Sequence, residues 1–197
     1  MTMIDAVERM AGEVDALAGE VAGLDASAMA STMHAIGGLV AAAQRFEVRA
    51  AAHFTALGAF RASGATSTAA WFRNQRNLGG GAAKQIEDAA RAMSAVPLVR
   101  DAVERGAMSA AHAALLAGLA TRVAAGTCPV DELLPLIDKA AELAVDRFRR
   151  EVATVEVRLD AEAGHDPSVN NTVKEHSGDA GRKVWRAELD SASHGII

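Results

Sequence analysis

The chain is poor in cysteine and aromatic residues, and each scarcity excludes a class of site or fold. It contains one cysteine, Cys128, so neither an intramolecular disulfide nor a zinc site made of several cysteines can form within it. It has no tyrosine and only 4% aromatic residues, whereas half of its residues are hydrophobic and many of these are alanine. We therefore expect a core in which helices approach closely through small side chains.

A strand-like alternation of apolar and polar residues is absent before the last fifteen residues. The long periodic segments are rich in alanine, leucine, glutamate and arginine, which favour helix. The sequence predicts an all-α multi-helix bundle with a helical domain at 1–160 and an irregular tail at 161–197. Within the helical domain we expect a long N-terminal hairpin at 1–58, a central helix-turn-helix-like unit at 59–127 and a long helix at 128–160.

The formal net charge of −5 excludes a chain that is basic throughout, so any nucleic-acid surface has to be local. Residues 1–60 carry three lysines or arginines against seven acids, whereas residues 61–110 carry seven against four. The basic segment coincides with the helix-turn-helix-like unit, which favours contact with phosphates there. A solvated helical surface has the same composition, and the charges alone leave both interpretations open.

The N-terminus, MTMIDAVERM, is acidic and amphipathic and lacks the basic and apolar regions of a secretory leader. No uninterrupted apolar run approaches the roughly 20 residues of a membrane span. These two observations predict a cytoplasmic protein without a membrane partner.

The first segment has a heptad pattern, in which apolar residues alternate at spacings of three and four. The positions are Val7, Met10, Val14, Leu17, Val21 and Leu24. A second helix, starting near Asp25 or Ser27 and ending near Leu57, repeats the pattern. A seam of period 3.5 suits packing against the rest of the chain, which we favour, and also suits a homodimer through this seam.

The central stretch from Thr66 to Leu116 contains the predicted helix-turn-helix. Thr66, Ser67 and Thr68 are candidate caps of a first helix, and three glycines precede a second helix over about 82–93. The candidate DNA-binding residues lie around this turn: Arg73, Arg76, Asn77, Gly80, Lys84, Gln85 and Arg91. Lys84 and Gln85 are in the position to meet base edges, and the others are candidates for contact with the DNA backbone.

His112 and the tail give weaker indications of function. His112 follows the candidate cap Ser109 and is either a structural residue or a residue that faces a phosphate. The tail is polar and rich in glycine and asparagine, with a short strand-like alternation at 184–189 and no visible partner strand. No grouping of nucleophile and base, phosphate-binding loop or metal-ligand cluster stands out, so we predict no cofactor, no metal and no catalytic residue.

Three blocks of the sequence resemble one family. They are GATSTAAW at 64–71, AARAM at 89–93 with Pro97, and GAMSAAHA at 106–113. Their order and spacing resemble the actinobacterial "domain of unknown function 222" family, also called the thirteen-E-twelve repeat proteins, and Leu189 to Gly195 resembles that family's LDPETG-like stretch. Gly79 departs from the family, which usually has a serine or threonine cap there. The block from Ser94 to Leu116 is also similar to the DNA-binding core of ParB-type partition proteins.

The resemblance implies a function on DNA, because many members of the family continue into a zinc- or magnesium-binding HNH nuclease domain. His165, His176 and His194 lack the spacing of that nuclease motif. We therefore expect this chain to be a DNA-binding, non-catalytic targeting module of an HNH-endonuclease-type protein from a mobile element. It is then either a fragment of a longer nuclease or a stand-alone relative. The alternative function is a protein interaction or homodimerisation module without affinity for DNA.

Overall fold

The computed structural model describes residues 2–163, 172–177 and 183–188, and it confirms the all-α, multi-helix bundle. The chain divides into two compact units, Met1–Glu47 and Val48–Ile197, so the boundary falls inside the second helix. The α-helices are α1 Met3–Ala18, α2 Ala26–Ala56, α3 Thr68–Arg76, α4 Gly80–Ala95, α5 Pro97–Glu104, α6 Ala110–Leu115, α7 Ala117–Ala124, α8 Leu134–Ala140 and α9 Val145–Glu162.

The first unit consists of α1, a short 3₁₀ helix at Val21–Gly23 and most of α2. A capping box starts α1: the Thr2 hydroxyl accepts from the Asp5 amide at 3.2 Å, and the Asp5 carboxylate accepts from the Thr2 amide at 2.6 Å. The hydrogen bonds from Thr2 lower the pKa of Asp5. No side chain between residues 2 and 47 is buried, so this unit has helices but no core of its own.

Helix α2 is long and apolar enough to cross a membrane, judged by length and composition alone. Its most apolar 18-residue window has a mean hydropathy of 1.3, although no uninterrupted apolar run stands out in its sequence. None of that window is buried, whereas the last part of α2 carries two buried residues, Val48 and Ala51. The absence of a membrane partner and the cytoplasmic location stay predictions.

The second unit is built around α4, which contacts α3, α5, α6 and α7. Its buried face consists of small residues: Ala83, Ala89, Ala90 and Ala92 are each at most 1% exposed, next to Met93. Small side chains let four neighbouring helices approach one helix, which is the kind of core that the alanine-rich composition predicts. The fully buried large side chains around them come from other elements and include Val99, Met108, Leu116, Leu119 and Phe148.

Local signals in the sequence set several helix ends. The Ser67 hydroxyl accepts from the Ala70 amide at 3.1 Å and starts α3, and the Ser109 hydroxyl accepts from the His112 amide at 3.3 Å and starts α6. Pro97 begins α5, where its missing amide leaves no helical bond unmade, and Gly106 has a φ of 75° just after that helix ends.

The predicted helix over 128–160 is interrupted in the structure. A 3₁₀ helix at Val130–Leu133 leads into α8, and α9 begins only at Val145, after Ala144 adopts an extended conformation with a ψ of 150°. This break lets α8 and α9 contact each other, which a continuous helix prevents. The segment after Ser109 is divided similarly, into α6 and α7 at Leu116.

The tail contains two antiparallel strands, β1 Thr172–Ser177 and β2 Lys183–Glu188. Thr172 pairs with Glu188 and Ser177 pairs with Lys183 at the two ends of the ladder. The sequence suggests a strand at 184–189, and its partner β1 was missed because TVKEHS is polar and lacks the β-branched and aromatic runs that mark strands. The stretch Leu189 to Gly195, His165 and His194 lie outside the described residues.

The buried alanines of α4 lead to a prediction about the stability of the protein. Ala89→Leu forces three extra carbon atoms into a fully buried contact, so we expect a loss of about 1–3 kcal/mol in the free energy of unfolding. Ala82→Leu makes the same change at an exposed position of the same helix and should stay within about 0.5 kcal/mol. Urea denaturation monitored by circular dichroism measures both variants, and equal stabilities would contradict this account of the core.

Candidate nucleic-acid interface

The turn between α3 and α4 is defined by two unusual helix ends. Asn77 ends α3 in the left-handed conformation, with a φ of 51°. Gly79 then precedes α4 without a side-chain cap, so no hydroxyl or carboxylate of the N-cap residue occupies the first free amides of that helix. A Cβ built on Gly79 or Gly81 would meet no other atom within 4 Å, so the space around this helix end is open.

Side-chain hydrogen bonds fix the start of α3 to its neighbours. The Glu87 carboxylate on α4 accepts from the Ala69 amide in the first turn of α3, at 3.0 Å. The buried Thr68 hydroxyl lies 2.7 Å from the Thr55 hydroxyl on α2, which itself donates to the Ala51 carbonyl at 2.7 Å. Because Thr55 has a single hydroxyl proton, Thr68 has to be the donor between the two threonines. Helices α3 and α4 are thus held at defined positions beside the end of α2.

The predicted residues of α3 and the turn gather at the start of α4. Arg73 and Arg76 lie in the last turn of α3, and both are exposed. The stem of Arg73 passes beside the helix start, since its Cδ is 3.9 Å from the position of a Cβ on Gly80. The guanidinium of Arg76 lies 5.4 Å from the centre of the Phe72 ring, in a cation–π contact. The structure therefore brings Arg73 and Gly80 together and places Arg76 and Asn77 nearby in the chain.

The predicted residues of α4 lie on its exposed stripe. Lys84, Gln85 and Arg91 are exposed, but Lys84 and Arg91 are both engaged by Asp88, which lies between them. The Lys84 ammonium donates to the two carboxylate oxygens of Asp88 at 2.9 and 2.8 Å, and the Arg91 guanidinium donates to one of them. Asp88 thus offsets part of the positive charge along the stripe.

Glu87 and Asp88 are adjacent acids on α4, and the structure gives them different partners. Asp88 was readable as a partner of Lys84 and Arg91, because spacings of three and four place side chains together on a helix. The hydrogen bond of Glu87 could not be predicted from the sequence, because its partner amide lies 18 residues away in the chain. Because the Glu87 carboxylate is bonded to the Ala69 amide, Asp88 is the acid of this pair that would repel an anion bound along α4.

His112 does not face a phosphate, because it is 7% exposed and bonded on both ring nitrogens. Its Nδ1 lies 2.6 Å from the Ser109 hydroxyl, and its Nε2 lies 2.9 Å from the Leu143 carbonyl. A carbonyl only accepts, so we assign the proton to Nε2. The ring also meets Phe148 edge to face at a centroid distance of 4.9 Å. His112 is thus a structural link between α6 and the break before α9.

A second group of charges lies between α7 and α9. The Arg122 guanidinium donates to the Asp160 carboxylate at 2.6 Å, and Gly118 lies so close to Glu156 that a Cβ there would be 2.9 Å from its Oε1. Burial raises the pKa of Glu156, the negative charge of Asp160 raises it further, and Arg122 partly offsets both. Burial likewise raises the pKa of the Cys128 thiol, which is therefore a poor nucleophile.

In the part of the chain that the structure describes, no three histidine, cysteine, aspartate or glutamate side chains are grouped so as to hold a metal ion. No family model, no curated protein and no solved structure matches this chain. The likeness of residues 64–71, 89–97 and 106–113 to the actinobacterial family, and of Ser94 to Leu116 to the partition proteins, stays a prediction.

The raised pKa of Glu156 predicts a pH-dependent stability. Below its ordinary value of 4.5, Glu156 is protonated in the folded and unfolded chain alike, and the charge costs nothing. As the pH rises through the higher pKa of the folded state, the half-buried carboxylate ionises and the protein loses stability. Glu156→Gln should therefore raise the free energy of unfolding at pH 7, by less than about 1 kcal/mol because solvent screens the group.

This gain should disappear as the pH falls below 4.5, in denaturation curves recorded from pH 4 to pH 8. Glu142→Gln is the control, because Glu142 is an exposed carboxylate between α8 and α9. A gain at pH 7 that is equally large at pH 4, or is matched by the control, would contradict the assignment.

Proposed function

We propose that this chain binds double-stranded DNA through the start of α4 and the arginines beside it. The observation that carries the proposal is the uncapped, glycine-lined start of α4 with the stem of Arg73 against Gly80. The first amides of a helix lack intrahelical acceptors and carry the positive end of the helix dipole, so they bind anions such as phosphate. Without Cβ atoms on residues 79–81, a phosphate can approach this backbone closely.

The charges around this helix start favour a chain of phosphates over a single phosphate. Arg73, Arg76, Lys84 and Arg91 are four cations against one nearby acid, the partly buried Asp88, since Glu87 is bonded at the start of α3. From Gly80 to Arg91 the stripe runs about 16 Å along the helix axis. That length exceeds the width of the major groove, about 12 Å, so the stripe can reach several phosphates of a duplex.

The same placement suits limited contact with bases. Lys84 and Gln85 lie in the first turns of α4, the part of a recognition helix that meets base edges. Both are exposed, and glutamine is a hydrogen-bonding partner of adenine while lysine is one of guanine. Asp88 lies one turn further on and repels phosphate, so we infer that α4 enters a groove by its N-terminal half only.

The targeting role within a nuclease-type protein is the wider form of this proposal. It rests on the resemblance of the three sequence blocks, and the described residues contribute a phosphate-binding surface rather than a reaction centre. In this interpretation the start of α4 positions a catalytic domain on DNA.

A salt titration tests the DNA proposal. We expect fluorescence anisotropy with a labelled duplex to give affinities that fall steeply with salt, with a log–log slope of roughly −3 to −4 for four cations at about −0.9 per phosphate contact. Arg73→Ala combined with Lys84→Ala should reduce the magnitude of the slope by about two, since two contacts are lost.

The matched control removes two arginines of α9, in Arg147→Ala combined with Arg149→Ala. Both are exposed, and the net charge of the chain changes by the same amount. If the two double variants weaken binding equally, the attraction is a property of total charge and the site is wrong. If the wild-type protein forms no complex even at low salt, DNA binding itself is wrong.

Asp88 provides a prediction in the opposite direction. Asp88→Asn releases Lys84 and Arg91 from their ion pair and removes a like charge from the path of the phosphates, so we expect severalfold tighter binding at a fixed salt concentration. Asp101→Asn is the control, because Asp101 on α5 pairs with Arg100 at 3.6 Å and its loss changes the net charge equally. Weaker binding by the Asp88 variant would show that Asp88 orients its two partners for DNA instead of competing for them.

A further inference from the structure

The first unit exposes apolar side chains over its whole length. Thirteen large apolar residues between positions 3 and 46 are each at least 36% exposed. They are Met3, Ile4, Val7, Met10, Val14, Leu17, Val21, Leu24, Met33, Ile36, Leu39, Val40 and Phe46. They include all six positions of the predicted heptad seam, so the first unit does not bury this seam within itself.

A helix of this kind needs a partner. Most helices in proteins owe their stability to the packing of an apolar face rather than to helix propensity alone. Helix α1 has 16 residues, a capping box and no buried residue. Gly37 and Gly38 on α2 likewise have no neighbouring atom within 4 Å of a Cβ position, so α1 does not pack closely against them.

The apolar stripes are wider than the seam of a two-stranded coiled coil. On α1, Ile4, Ala11 and Ala18 extend the seam on one side, and on α2 Leu39 and Phe46 do the same. At 100° per residue each stripe covers roughly 140° of the helix surface, the width of a helix that packs against two neighbours. The two helices of one copy can supply each other with at most one neighbour, whereas the four helices of two copies can supply each with two.

The charges of this unit are mostly negative and lie off its stripes, except that Glu47 at its end is in line with the stripe of α2. Residues 1–47 contain seven acids and two arginines, Arg9 and Arg45. Alanines at 11 and 18 occupy one flank of the α1 seam, and Glu13 occupies the other. A second copy can therefore place its seam against this one without bringing acids directly opposite each other, provided that alanine flanks meet glutamate flanks.

We propose that two copies of this chain associate through residues 3–46 and form a four-helix bundle. The two helices of one copy have stripes of equal period and width, so the surface is self-complementary, as a two-fold interface requires. The exposed apolar side chains present on the order of 1,000 Å² per chain, which reaches the scale of a specific interface. The dimer places two α4 surfaces in one particle, but it does not depend on their binding DNA.

Analytical ultracentrifugation of the full chain tests the dimer. We expect a mass of twice the 20.4 kDa of the chain at micromolar concentration. Because both copies are negative at the interface rim, added salt should strengthen the dimer by screening this repulsion, the opposite of its effect on a DNA complex. A dimer that fails to form while DNA still binds would overturn this inference alone.

Val14→Glu combined with Leu17→Glu puts two charges on the stripe and should yield monomers. The control, Gly12→Glu combined with Ala16→Glu, adds the same charges to the opposite face of α1 and should leave the dimer intact. Circular dichroism of both variants reports whether α1 stays helical, and the control keeps the test valid if the first variant loses that helix.

Three outcomes overturn the proposal. They are a monomeric wild-type protein at high salt, equal dissociation by the two double variants, and a monomer that floats with phosphatidylcholine vesicles in a density gradient. In the last case lipid, and not a second copy, covers the apolar stripes.

Discussion

The small side chains on α4 are the constraint on which the second unit depends. Four helices contact α4, and they do so over alanines that are at most 1% exposed. Burial on that face leaves the rest of α4 in solvent, and this exposed side carries Lys84, Gln85 and Arg91. The packing that builds the core therefore also decides which residues of the candidate interface face outward.

The two acids at 87 and 88 show how neighbouring residues acquire different roles on such a helix. A rotation of 100° separates them, which turns Glu87 towards the start of α3 and Asp88 into the exposed stripe. Glu87 satisfies an amide and so fixes the angle at which α3 delivers Arg73 to the start of α4. Asp88 holds Lys84 and Arg91 close to the helix surface. One acid thus positions the candidate interface and the other limits its charge.

Local chemistry made the fold class and most helix ends predictable. Caps at Ser67 and Ser109, the stop at Pro97 and the left-handed Gly106 act within three or four residues, so the sequence displays them directly. The interruption before α9 was not predictable, because alanine-rich sequence without glycine or proline continues through it. The carbonyl of Leu143 at this interruption is bonded to the ring of His112, which lies 31 residues earlier in the chain. In the candidate site, the exposure of Lys84, Gln85 and Arg91 could be predicted from the helical periodicity. The approach of Arg73 to Gly80 could not, because it depends on the conformation of the turn between α3 and α4.

Charge divides this chain in the same place as packing does. The unit that ends at Glu47 has a surplus of acids and exposed apolar stripes, and the unit that follows has a surplus of bases around α4 and a buried core. A polyanion is repelled by the acids of the first unit, so in the proposed complex DNA contacts the second unit alone. An apolar partner is favoured by the first unit and finds no comparable surface among the described helices of the second. The two proposed interactions thus use separate surfaces and respond to salt with opposite signs, so each can be lost without the other.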